Sequence, residues 1–296
     1  MKIVFFGEDN FSLEVIKELV KSEEIELIVC PIYNNKIYKR LELGARILGI
    51  EFCRINDINS DFIVEKIQKI QPDLIISCHF SKIIDTRILD LAKIMAINLH
   101  PSLLPKYRGM SPQHWALING DKNTAITIHE MKADVDSGDI LKQIIVPIDE
   151  NENVFELQNK MLPLYKKAFC ELMDDFKNNN VKRISQEKND EIYYGKFYPE
   201  YAIINLRQNK KSLKNLVRAV TKPYCGASYN DLIIWSVCDI EKDLEYEIMK
   251  KFPRCGIINF KKQKYFRLFD GVLLIKDFSD RGGVTRNFAS CYALVA

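Results

Sequence analysis

Short apolar runs alternate with amphipathic segments over about the first 100 residues, and this alternation restricts the architecture more than any other feature of the chain. Lys2 to Phe6 is an apolar run ending at Gly7, and Phe11 to Val20 places Leu13, Val15, Ile16, Leu19 and Val20 at helical spacing. The pattern predicts a strand, a loop and a helix. It recurs as strands over Ile25–Cys30, Asp73–Cys78 and Ile94–Asn98, and as helices over Tyr38–Leu48, Asp61–Ile70 and Thr86–Ala92. Such repetition implies an α/β unit, a mostly parallel sheet with helices on both faces. Ala125–Glu130 and Ile140–Ile148 alternate in character across an acidic, Gly-containing loop, which predicts an antiparallel extension of the sheet. Val154–Phe176 predicts one long helix holding Pro163. The expected organisation is a first domain over 1–180, a polar linker over 181–191 and a smaller β-rich domain over 192–296. That tail is read as one helix, Ser212–Ala219, with strands over Leu232–Val237, Cys255–Phe260 and Gly271–Ile275.

Composition narrows the function classes. The chain is 47% hydrophobic and 28% charged, which excludes collagen-like and disordered classes. Its net charge of +3 is too small to argue for nucleic acid or a membrane, although residues after Asn180 carry 21 Lys and Arg against 13 Asp and Glu. A solvated lysine-rich surface explains that excess as well as a polyanionic ligand does. Eight cysteines without a CxxC pair fit reduced thiols, and no metal is expected. The first residues do not read as a signal peptide and no run is long enough to span a membrane, so the expected location is the cytoplasm. Neither GxGxxG nor GxxxxGK[ST] follows the first strand, where FGEDNFS stands instead. That loop still lies at the carboxyl edge of the sheet, so Glu8, Asp9, Asn10 and Ser12 are placed to meet a ligand; helix capping explains Asn10 and Ser12 equally well.

The segment that carries chemistry is Ile97-Asn98-Leu99-His100-Pro101, continuing to Gly109. In extended structure Asn98 and His100 project to one side, and Pro101 and Pro105 stiffen the chain beyond them. A carboxamide and an imidazole converging on one point can donate to an oxyanion developing on an acyl group. A carboxylate nearby would favour the imidazolium. Asp136 in DVDSGD is the best placed, although spacing alone does not separate it from Asp134 or Asp139.

NLHPSLLPKYRG together with DSGDIL resembles the formyltransferases that use 10-formyltetrahydrofolate, a family serving methionyl-tRNA, glycinamide ribonucleotide and nucleotide-linked amino sugars. The resemblance covers about Met1 to Phe176 and implies a Rossmann-like formyltransferase domain. It implies a catalytic triad of Asn98, His100 and Asp136, with transfer needing neither metal nor covalent enzyme intermediate. It also implies a pterin pocket from Phe80, Ser81, Lys82, Ile83 and Asp134, where His79, Phe80 and Lys82 depart from the Tyr-Gly pattern of tRNA-directed relatives.

A second stretch, Leu216-Val217-Arg218-Ala219-Val220-Thr221-Lys222-Pro223-Tyr224-Cys225-Gly226-Ala227, is similar to a signature of nucleotide-amino-sugar formyltransferases, with Cys225 replacing a proline. It implies a dTDP- or UDP-linked amino sugar as acceptor, for surface polysaccharide or O-antigen synthesis, with Asn10, Arg218, Lys222 and Tyr224 as substrate contacts. Arg218 and Lys222 balancing a helix dipole, with Tyr224 packed in a turn, is the structural alternative. Trp115 and Trp235 read as core or interface residues. Methionyl-tRNA formyltransferase and a non-catalytic folate or sugar-nucleotide binding protein are the competing functions; Pro31 to Ile50 lacks the basic loop of tRNA-directed members, and nucleic acid is the weaker expectation. Gly271–Ile275 and Cys291–Ala296 are expected either to pair across a homodimer or to finish one domain's core.

Overall fold

An extended run that is apolar on both faces needs cover from both sides, and β1 (Lys2–Gly7) accordingly lies inside a sheet with Ile3, Val4, Phe5 and Phe6 fully buried. The structure, a computed structural model, describes residues 1–8, 10–32, 39–186 and 192–280. After β1 come α1 (Asn10–Leu19), β2 (Glu24–Pro31), α2 (Lys39–Ile47), β3 (Glu51–Ile55), α3 (Asp61–Ile70), β4 (Leu74–Cys78), α4 (Thr86–Leu89) and β5 (Met95–His100). They are followed by β6 (Arg108–Gly109), α5 (Pro112–Asn119), β7 (Asn123–Glu130), β8 (Ile140–Pro147) and α6 (Val154–Lys177). An Asn153–Glu156 capping box opens α6 by satisfying backbone N–H groups at its start. The seven-stranded sheet runs β3-β2-β1-β4-β5-β7-β8. It is parallel from β3 to β5, and β7 and β8 extend it antiparallel as the alternation predicts.

The strand order reverses beside β1, so a crevice opens at the carboxyl ends of β1 and β4, the usual place for a ligand on such a sheet. There Ser12 Oγ donates to the Cys78 carbonyl at 2.8 Å, and the Ser81 N–H donates to the Glu8 carboxylate at 2.6 Å. The two loops at the crevice are thereby joined.

The remaining elements are β9 (Tyr193–Tyr194), α7 (Lys210–Val220), β10 (Ala227–Tyr229), β11 (Leu232–Cys238), α8 (Lys242–Lys251), β12 (Gly256–Phe260), β13 (Gln263–Leu268) and β14 (Gly271–Asp280). Five of the strands form an antiparallel sheet in the order β10-β11-β14-β13-β12. α7 is strongly amphipathic and buries Leu213, Leu216, Val217 and Val220 in the same apolar cluster as Ala116 and Leu117 of α5 and Leu157 of α6. That one cluster also takes in Phe266 and Leu273 of the second sheet.

The structure differs from the sequence expectation at several elements. β3, α5, α8 and β13 are additional. The face of α5 turned inward carries the polar Gln113 and His114, and α8 buries Ile248 alone, so neither shows apolar periodicity. The strand expected to end at Asn98 runs on to His100, and the helix expected through Ala92 ends at Leu89. Gly271–Ile275 belongs to β14, which has partners on both sides and so does not offer an edge for pairing across a dimer. Asp9, Tyr38, residues 187–191 of the expected linker and Cys291–Ala296 lie outside the described residues. Among the described residues no helix is long and apolar enough to cross a membrane, and no group of His, Cys, Asp and Glu could hold a metal ion.

Candidate active site

Alternation along β5 decides which side chains meet. Ile97 and Leu99 point into the main apolar cluster and Ala96 into the cluster under α3 and α4, so Asn98 and His100 share the face of Ala96. β7 places His129 directly opposite Asn98. The loop after β7 then folds back over this face. Its return requires Gly138, where a Cβ would overlap the Glu130 carbonyl oxygen. Asp136 takes up a left-handed backbone, φ 51°, a conformation that non-glycine residues seldom adopt.

That backbone brings the Asp136 carboxylate into the face. Oδ1 accepts from Asn98 Nδ2 at 3.2 Å and lies 3.3 Å from His129 Nε2. Oδ2 accepts from the Gly109 N–H at 2.8 Å and lies 3.4 Å from His100 Nδ1. Of the three aspartates that spacing left open, Asp134 is exposed and Asp139 pairs with Lys132, so the structure gathers Asp136 alone with Asn98 and His100. His100 Nε2 donates to the Tyr107 carbonyl at 2.8 Å, and His129 Nδ1 donates to the Glu130 carbonyl at 2.8 Å. Both rings are thus oriented by a backbone acceptor, which fixes the nitrogen that each turns toward Asp136.

Burial alone would raise the Asp136 carboxyl, but the facing imidazoles and the Gly109 N–H hold it well below the usual carboxylate range. Burial pushes His100 below the ordinary histidine value, against the pull of the Asp136 charge. The Asp136 carboxylate does favour the imidazolium, as expected, but burial is the larger effect. With the residue 5% exposed, loss of water outweighs the carboxylate. The protein holds an ionised carboxylate against an imidazole poised to take a proton at Nδ1, since Nε2 already carries the hydrogen given to Tyr107.

The residues expected around a pterin start beside His100, because Cys78 pairs with Leu99. Phe80 packs edge-on against Phe6 with ring centroids 5.4 Å apart, while Ser81, Lys82, Ile83 and Asp134 are exposed. Asn10 begins α1 at the crevice. Arg218, Lys222 and Tyr224 make their contacts away from the Asp136 cluster. Arg218 Nη1 donates to the carbonyls of Asp149, Glu150 and Glu152, and the Tyr224 hydroxyl donates to Gln158 Oε1 at 2.8 Å. Lys222 pairs with Asp277 at 2.8 Å and stands over the Trp235 ring. These contacts join α7 and the turn after it to α6, its preceding loop and the second sheet. Trp115 donates to the Gly195 carbonyl and Trp235 to Ser279, as interface residues would.

Sequence reading missed His129, Arg108 and Gln186. Thr127 and His129 alternate with Ile126 and Ile128 along β7, a signal of the same kind that exposed Asn98 and His100. Arg108 is buried and donates through Nε and Nη2 to Gln186 Oε1, a pairing across 78 residues of chain that no local pattern announces.

The profile of the Formyl transferase family matches residues 1–173. The bifunctional polymyxin resistance protein ArnA of Wigglesworthia glossinidia brevipalpis is 36% identical over 183 residues, which make up 60% of this chain and 28% of that protein. The chain therefore spans little more than a quarter of that curated relative. An N-formyltransferase from Helicobacter canadensis, solved with folinic acid and dTDP-3-aminofucose, is 18% identical with a TM-score of 0.72, over 94% of this chain and 100% of its own. WlaRD, a sugar 3N-formyl transferase solved in the presence of dTDP and 5-N-formyl-THF, is 19% identical with a TM-score of 0.69, over 93% of this chain and 97% of its own. At such identities the likeness is one of fold.

Proposed function

The chain belongs to the formyl transferase family, and from that premise we propose that it moves the formyl group of 10-formyltetrahydrofolate to the amine of a dTDP- or UDP-linked amino deoxy sugar. The product would feed surface polysaccharide or O-antigen synthesis. The observation that carries this reading is the convergence of Asn98, His100 and Asp136 on one face of the sheet at its carboxyl edge. The fold-wide likeness to sugar N-formyltransferases, which spans the second sheet as well as the first, favours a sugar acceptor over tRNA.

The residues present fit a folate donor. Phe80 and Met131 pack on one apolar cluster, and the exposed Ile83 and Val135 leave apolar surface on the loops that flank the triad. Phe80, Ser81, Lys82, Ile83 and Asp134 are the proposed folate contacts, and Asn10 the proposed contact for the acceptor. When bound, the donor supplies a formyl carbon on a nitrogen able to leave. Asn98 and His100 then donate to the negative charge that grows on the formyl oxygen as the amine attacks, each contributing about 3 kcal/mol. To do so, each turns a hydrogen away from a protein acceptor, the Tyr107 carbonyl in the case of His100. Asp136 is held too far below neutrality to be a strong base, so its work is to fix the carboxamide and the imidazole and to stabilise His100 when Nδ1 takes up the proton that the attacking amine loses, a proton that would then pass to the folate nitrogen as its bond to the formyl carbon breaks.

The division into a catalytic domain over 1–180, a linker over 181–191 and a second domain over 192–296 is part of the proposal. So is a cytoplasmic location, which the seven free cysteines among the described residues support. The test is a panel of dTDP- and UDP-linked 3-amino and 4-amino sugars, with methionyl-tRNA alongside, each given with 10-formyltetrahydrofolate and read by mass spectrometry. Formylation of a sugar nucleotide and not of tRNA is expected. Formylation of tRNA alone would replace the acceptor, and binding of folate without any transfer would replace the activity.

A further inference from the structure

Beyond its triad, the site is held from an unexpected direction. Gln186 lies in the stretch leading to the second unit, yet its side chain is buried under the Asp136 loop. Its Nε2 donates to the Asp136 carbonyl at 2.9 Å and to the Gly138 carbonyl at 2.6 Å. Its Oε1 accepts from Arg108 at 3.0 and 2.7 Å, and Arg108 immediately precedes Gly109, whose N–H binds the Asp136 carboxylate at 2.8 Å. One carboxamide therefore ties the Asp136 loop to the segment whose Gly109 N–H holds the Asp136 carboxylate. The stretch is stitched down on either side of Gln186. Ile184 exchanges two backbone hydrogen bonds with Ile140, and Tyr193–Tyr194 pairs with Arg108–Gly109 as β9 on β6.

We propose that Gln186 is a positioning residue for formyl transfer: its amide holds the left-handed turn at Asp136 in register with β6, so that the chain entering the second unit sets the geometry of the catalytic carboxylate. The loop needs such a hold. A backbone at φ 51° in a non-glycine residue is costly and persists where its surroundings determine it. Hydrogen bonds to the carbonyls on both sides of Ser137 supply that determination, and the buried guanidinium fixes the rotamer of the amide that makes them.

The inference rests on the formyl-transfer reading for its kinetic arm and not for its structural one. Gln186→Glu keeps an acceptor for Arg108 but loses both donations to the loop, and Gln186→Met loses all four hydrogen bonds. Both variants are expected to lower kcat roughly 10- to 100-fold, with KM for each substrate changed less than about threefold, because an error near 1 Å at the reacting centre costs that much. Amide hydrogen exchange of the 134–139 segment is expected to quicken in both, while β1 and β4 keep wild-type protection. Gln186→Glu retaining wild-type kcat would overturn the proposal. So would a loss of activity that merely follows the folded fraction, or unchanged exchange at 134–139. If the wild-type protein transfers no formyl group, the functional reading fails by itself, and the exchange measurement still decides whether Gln186 holds the loop.

Discussion

Asp136 shows how far a single residue can be inferred before its backbone is known. Asn98 and His100 were legible because a strand sends alternate residues to one face, whereas Asp136 was one of three acidic residues in a loop without periodicity. What selects it is a left-handed turn beside a glycine that only backbone contact explains, and neither leaves a local mark in the sequence. Asn98→Ala and His100→Ala are each expected to lower kcat by about 100- to 1,000-fold in a formyl-transfer assay, the usual consequence of removing an oxyanion donor. Folinic acid affinity, measured by calorimetry, should change far less. Tyr224→Phe makes the opposite case. It removes a buried hydrogen bond to Gln158, so a loss of about 1 kcal/mol in urea unfolding is expected with KM for the sugar nucleotide unchanged.

Two elements position the site, and each carries a prediction. The loop from β7 to β8 touches its own strand at Gly138, so Gly138→Ala must push either Glu130 or the loop aside. The expected cost is about 1–3 kcal/mol of stability together with a lower kcat, read by thermal melts and initial rates. α5 meets α7 through His114, whose Nδ1 donates to the Ala219 carbonyl at 2.7 Å. Burial pulls its pKa down from 6.5 to about 4, so the unfolded chain takes up a proton over that interval while the folded one does not. Stability from this group is complete above about pH 6.5 and is lost as the pH falls to about 4, by roughly 3 kcal/mol in all. Urea unfolding of wild type and His114→Gln across that range should show the slope reduced in the variant. Helix α5 escaped the sequence reading for the same reason that it matters here, because polar Gln113 and His114 occupy its buried face.

Across the whole molecule, the strand and helix alternation gave the parallel sheet, its antiparallel extension and a β-rich second unit. It did not give the union of the two sheets in one apolar cluster through α5, α6 and α7, because such contacts join residues far apart in sequence. A fragment ending at residue 180 would leave Ala116, Leu117 and Leu157 without the α7 residues that cover them, and its melt by circular dichroism should be broad and lower than that of the full chain. The central claim concerns chemistry at one face of the first sheet, and single-turnover formyl transfer from 10-formyltetrahydrofolate to the acceptor sugar nucleotide, by wild type and by Asp136→Asn, tests it most directly. Rapid formation of the formamide by wild type is expected, with a rate at least about 100-fold lower in the variant and folinic acid still bound. Equal rates in the two proteins would contradict it.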